Sequence, residues 1–204
     1  MQQREESTLR RTDVQNSKIV TQYLEKNVYP FKVCSYSRKD DIENQIKGID
    51  CTFRLRGVDY KCDEKAATAF INKPLKTFAF ELSFINRANE RQSGWLINKD
   101  LETDLYCLIW IDKAKSNILY SYQDIQQTEI IFVKKSDILD YLKNLGWSSE
   151  NLFKKDQQIR ETNGQCEMGN IWQNGCKFSY SQQLVEKPIN ILIPREMLVN
   201  MRIK

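Results

Sequence analysis

The sequence predicts an α/β chain, on two observations. Three runs with the period-two alternation of half-buried strands follow in close order, at Ile49 to Leu55, Val58 to Lys65 and Thr77 to Phe84. Amphipathic helical spacing flanks them, at Val14 to Lys26 before and Ser136 to Gly146 after. The 204 residues are 41% hydrophobic and 28% charged, which suffices for a substantial core and excludes a wholly disordered chain. A single domain over 1–204 is expected, with its core at about 14–146 and 147–204 as an extension packed on that core.

The first helix carries Val14, Ile19, Val20, Tyr23 and Leu24 on one side, and Pro30 marks the exit from it. Residues 35–45 are polar and read as a loop running into a short helical turn. In the first strand Ile49, Cys51, Phe53 and Leu55 alternate with Asp50, Thr52 and Arg54, and Gly57 provides the turn. The second sets Val58, Tyr60 and Cys62 against Asp59, Lys61, Asp63 and Lys65. The third sets Phe78, Phe80, Leu82 and Phe84 against Thr77, Ala79, Glu81 and Ser83. One or two helical turns fit Ala66 to Ile71 before Pro74. Further strands are expected at Leu105 to Ile111 and Glu129 to Lys134, then a helix with Ser136 as N-cap and Gly146 as its stop. Residues 148–180 read as irregular, followed by a last strand at Ile189 to Ile193, Pro194 and a short helix.

The chain contains no histidine, which removes Ser-His-Asp and Cys-His nucleophile systems and His-rich metal sites. Carboxylates, Lys, Tyr, Ser and Cys remain for catalysis. The six cysteines form no C-x-x-C pair, and Cys166 with Cys176 do not complete a zinc site. The charged start of the chain lacks the apolar run of a signal peptide, so free thiols in a reducing cytoplasm are expected. No stretch is apolar for the ~20 residues that span a bilayer, so no membrane partner is expected. The formal net charge of +4 is modest, but Arg54, Arg56, Lys61, Lys65, Arg87 and Arg91 fall close together in the sequence.

The alternation places Asp50, Asp63 and Lys65 on the polar face of one sheet. Two carboxylates on neighbouring strands can hold Mg²⁺ or Mn²⁺, hard cations that take oxygen ligands. Lys65 lies two residues beyond Asp63, about 6.6 Å along the strand and on the same face. There an ammonium can orient a nucleophilic water or offset charge on a phosphoryl oxygen.

The run Gly48-Ile49-Asp50, followed by Val58-Asp59-Tyr60-Lys61-Cys62-Asp63-Glu64-Lys65-Ala66, resembles the core of the PD-(D/E)xK nuclease superfamily. In that family an Asp on one strand precedes a (D/E)-x-K triplet on the next. The resemblance covers about residues 40–110, with Thr77 to Glu81 as the following strand; no Pro precedes Asp50. It implies a restriction endonuclease-like core, a mixed central β-sheet flanked by helices. It also implies Mg²⁺- or Mn²⁺-dependent hydrolysis of phosphodiester bonds, with Asp50, Asp63 and Lys65 as catalytic residues and DNA as the expected substrate. The x residue, Glu64, would offer its backbone carbonyl to the metal and turn its side chain to the opposite face.

Some family members add a carboxylate from an upstream helix. Glu43 is the chosen metal ligand in that role, with Asp41 as an alternative, Gln45 as a hydrogen-bonding neighbour, and solvation of a loop as the plain reading of all three. Glu81 is either an extra ligand or a carboxylate paired with Lys61 or Lys65. Arg87 and Arg91 suit phosphate oxygens, and Trp95 suits either a base stack or core packing. Thr103 and Tyr106 are hydroxyls that can reach phosphate. A homodimer is suggested only by analogy with nucleases that cut both strands. The competing expectation is a catalytically silent module of this fold that binds DNA or a protein partner.

Overall fold

The computed structural model describes residues 2–162 and 175–203, with side chains from Thr12 onward. The described residues form a mixed α/β structure that divides into two compact units. The first comprises Met1–Leu75, Glu102–Val133 and Ile203, and the second Lys76–Leu101, Lys134–Arg202 and Lys204. The division therefore does not follow the boundary at 146 that the sequence suggests.

The first unit opens with α1 (Gln2–Asn27), then a single turn α2 (Tyr29–Lys32) that takes Pro30 at its start, where a missing N–H is harmless. Asn16, Val20, Leu24 and Val28 are buried at a strict four-residue spacing, the inward stripe of α1 and its exit. Val14, expected in that stripe, is half exposed. The chain continues through β1 (Cys34–Arg38), α3 (Ile42–Ile46), β2 (Cys51–Leu55) and β3 (Val58–Ala66). A two-residue turn joins β2 to β3, with Arg56 at φ 53° and Gly57 at φ 81°, the paired positive values of a type I′ hairpin.

These strands belong to a five-stranded sheet in the order β1-β2-β3-β6-β7, completed by β6 (Leu105–Ala114) and β7 (Ile125–Lys134). β1 and β2 pair antiparallel, as do β2 and β3, whereas β3 and β6 run parallel, so the sheet is mixed. Every residue of β6 from Leu105 to Ile111 is buried, as expected of a central strand covered on both faces. Cys51, Phe53, Cys62, Leu105, Cys107 and Ile109 meet Val20, Leu24 and Tyr29 in one core cluster. That cluster fixes which face of β3 turns toward α1.

The second unit holds a separate antiparallel sheet in the order β5-β4-β9-β8, formed by β4 (Thr77–Ile85), β5 (Arg91–Ser93), β8 (Lys177–Tyr180) and β9 (Ile189–Pro194). The run at 77–84 is thus a strand, but it does not join the sheet of Asp50 and Asp63. Both edges of β3 are already filled, by β2 and by β6. Phe78, Phe80 and Leu82 alternate inward on β4, and Ile189, Ile191 and Ile193 on β9. With them go α4 (Lys135–Asn144), α5 (Ser149–Glu161) and α6 (Arg195–Met201).

The helix at α4 ends as the sequence suggests. Gly146 takes φ 86°, and the N–H groups of Gly146 and Trp147 close on the carbonyls of Lys143 and Leu142, a Schellman ending. Its start differs: Lys134 occupies the N-cap and Ser136 lies inside the helix, its hydroxyl on the Asp137 carboxylate. The stretch expected to be irregular contains α5, capped by Ser148, and β8. Among the described residues no helix is long and apolar enough to cross a membrane.

Candidate functional site

Asp50 immediately precedes β2, where the ladder to β3 begins. Its N–H donates to the Cys62 carbonyl at 2.9 Å, and its own carbonyl accepts the Lys39 N–H at 2.8 Å. Gly48, at φ 70°, turns the chain into this position, and the Thr103 hydroxyl ties the Gly48 carbonyl at 2.7 Å. The Asp50 carboxylate is fixed in turn by the Glu64 backbone N–H, which donates to Oδ2 at 2.7 Å.

Asp63 lies on β3, directly beside Tyr106 of β6, and is 3% exposed. Lys65 follows on the same face and donates from Nζ to Asp63 Oδ1 at 2.6 Å. Burial pushes the Asp63 carboxyl up to about 7; the Lys65 ammonium opposes this, while the neighbouring Asp50 charge and its hydrogen bonding raise it further. Asp50, Asp63 and Lys65 therefore come together, two carboxyl groups and one ammonium in a largely buried setting.

Glu64 points the other way, into the α1 face. Its carboxylate is 8% exposed and accepts a fork from Arg38, Nη2 to Oε1 and Nη1 to Oε2, both at 3.0 Å. The Tyr29 hydroxyl donates to Oε1 and the Thr21 hydroxyl to Oε2 at 3.4 Å. Arg38 Nε donates to Glu25 at 3.1 Å, and Tyr36 donates to the same oxygen at 2.9 Å. Burial raises the Glu64 pKa, opposed chiefly by the bonds and charge of Arg38.

This network escapes a reading by motif, because Arg38 falls in a polar run and Tyr29 stands beside a proline. A signal was nevertheless present. Glu64 shares the phase of Tyr60, Cys62 and Ala66 on β3, the phase that packs into the core cluster, and a carboxylate there requires an inward-facing cation.

The remaining expected residues are placed as follows. Glu43 is exposed and pairs with Lys47 at 3.0 Å, and Lys47 also reaches Glu102. Asp41 caps α3, its carboxylate accepting from the Asn44 backbone and side chain, which hold its pKa down. Gln45 donates to the Asp40 carbonyl. Among the described residues no group of three or more Cys, Asp or Glu is arranged to hold a metal ion. Lys61 pairs with Glu102. Tyr106 is fully buried, and the Thr103 hydroxyl is engaged by Gly48.

In the second unit, Glu81 lies opposite Asn190 on β4. Trp95 packs on Phe80 with ring centroids 5.1 Å apart, the packing role. Arg91 donates Nε and Nη2 to the buried Asp156 at 2.8 and 2.6 Å and covers the Phe153 ring, while Arg87 is exposed in the turn between β4 and β5. Cys34 is an exposed free thiol, and Cys51, Cys62, Cys107 and Cys176 are buried free thiols. Cys166 lies outside the described residues, and with it the pair with Cys176.

No protein-family model, curated protein or solved structure matches the chain.

Proposed function

We propose that the protein is a divalent-metal-dependent nuclease that hydrolyses phosphodiester bonds of DNA. The observation that carries this reading is the convergence of Asp50 and Asp63 with the Lys65 ammonium at the end of the β2–β3 ladder away from the hairpin turn. Two further features support it. The antiparallel run β1-β2-β3 continued by parallel β6, with α1 against one face, agrees with the restriction endonuclease-like core that the sequence resemblance implies. The Glu64 side chain also turns away from Asp63 and Lys65, as that resemblance requires.

The donor set fits a hard dication. Burial, with a smaller contribution from the neighbouring Asp50 charge, raises the Asp63 carboxyl to about 7, and a dication held by the oxygens of the two carboxyls would offset the charge that this setting disfavours. Asp50 and Asp63 would hold Mg²⁺ or Mn²⁺, which supplies a bound water of lowered pKa and polarises a phosphoryl oxygen. Glu64 keeps Asp50 aimed through its backbone N–H, and Lys65 carries the positive charge that steadies the ionised form of Asp63. The same ammonium can orient the attacking water and offset charge on the phosphoryl group.

Asp63→Asn and Lys65→Ala are expected to lower Mg²⁺-dependent cleavage of DNA by roughly 100-fold or more while leaving the far-ultraviolet dichroism unchanged. Undiminished cleavage by both purified variants overturns the assignment. The second reading is a silent module of this fold that binds DNA or a protein partner without cutting DNA. Calorimetry separates the two: Mn²⁺ uptake supports the nuclease, whereas salt-sensitive DNA binding without Mn²⁺ uptake supports the module.

A further inference from the structure

We infer that Arg38, acting with the Glu64 side chain, is a positioning residue that fixes the Asp50 carboxylate for cation binding, an inference that rests on the metal-site reading above. The bonds form a closed circuit. The Glu64 backbone N–H holds Asp50 Oδ2 at 2.7 Å, the Glu64 carboxylate receives the Arg38 fork at 3.0 Å, and Arg38 Nη1 reaches on to the Asp50 carbonyl at 3.3 Å. Asp50 is thereby gripped at its side chain and its main chain by one residue pair.

The geometry exceeds what neutralising Glu64 demands. A buried carboxylate needs a cation beside it, and a lysine ammonium would meet that need as a point charge. Only a planar guanidinium can fork across both Glu64 oxygens, hold Glu25 through Nε and still extend to the Asp50 carbonyl. Arg38 is itself at the end of edge strand β1, where Tyr36 also binds Glu25, so its stem is anchored before its head reaches the site. Partners of this kind orient a ligand without touching the ion.

The test is Mn²⁺ calorimetry on the full chain, with thermal melting of the metal-free protein alongside. Arg38→Lys retains a charge for Glu64 but loses the bridge to Asp50, and its Mn²⁺ Kd is expected to rise roughly tenfold. Glu64→Gln keeps size and the backbone N–H while weakening the fork; it is expected to move the Kd in the same direction and carries the test if Arg38→Lys does not fold. Tyr29→Phe removes a different bond to Glu64 and none to Asp50, so it is expected to lower Tm and leave the Kd unchanged. A wild-type Kd in both Arg38→Lys and Glu64→Gln, or a rise in Tyr29→Phe matching theirs, overturns the positioning role alone. Wild-type protein that takes up no Mn²⁺ overturns the metal site itself.

Discussion

Asp63 titrates near 7 because burial and the neighbouring Asp50 charge both oppose its ionisation, and Lys65 offsets only part of that opposition. The consequence for stability has a definite sign. The carboxyl moves from its ordinary 3.8 to about 7 on folding, so between those values the folded chain holds a proton that the unfolded chain has released. Stability therefore falls as pH rises from about 4 to about 7 and is level in this respect above, a change of roughly 4 kcal/mol at about 1.4 kcal/mol per pH unit. Glu64 is raised as well and adds to the slope in the same direction. The chain has no histidine, the usual source of a transition in this range. Asp63→Asn should flatten most of the decline in denaturant-derived stability between pH 4 and pH 7. An unchanged slope in that variant would place the Asp63 carboxyl in a more polar setting than its burial indicates.

At the scale of elements, α5 shows how one buried charge organises a helix against a sheet. Leu152, Asp156 and Ile159 form its inward stripe, and Asp156 is met there by Ser83 of β4, by Arg91 of β5 and by Arg160 one turn on. Removing Arg91 leaves Asp156 buried with less compensation, so Arg91→Ala is expected to cost about 3 kcal/mol in urea unfolding. A residue reserved for phosphate would instead weaken DNA binding with no loss of stability. The same helix marks where sequence patterning stopped being informative. Asp156 interrupts the apolar period of α5, whereas β2, β3, β4, β6 and β9 could be recognised because their apolar residues mark a buried face in strict phase or in a continuous run. β1 was hidden for a different reason: it is an edge strand with a bulge, Ser35 at φ 52° and little burial. Alternation also reports faces rather than edges, so it identified β4 as a strand without revealing that β9 and β5 are its neighbours. For the candidate site, the co-facial Asp63 and Lys65 followed directly from period two. The grip of Arg38 on Asp50 did not, because it depends on how β1 pairs across β2 and on no spacing within the chain.

For the whole molecule, the cluster of basic residues between 50 and 95 overstates the cationic surface offered to a polyanion. Of the basic residues clustered between 50 and 95, Arg54 pairs with Asp59, Lys61 with Glu102, Lys65 with Asp63 and Arg91 with Asp156. A phosphate binding at any of these must compete with a carboxylate already in place, which removes much of the counterion-release gain that normally drives non-specific DNA affinity. Lys47 is held likewise between Glu43 and Glu102. DNA affinity, measured by fluorescence anisotropy across a range of potassium chloride, is therefore expected to give a shallow dependence, with log K falling by only about 2 to 4 per decade of salt. Because Glu102 is the carboxylate that holds Lys61, while Lys47 keeps Glu43, Glu102→Gln should free one cation, tightening binding at low salt and steepening the dependence by about one further unit. A steep slope in the wild-type protein, or no effect of Glu102→Gln, would mean that the partner is met by basic residues outside this paired set.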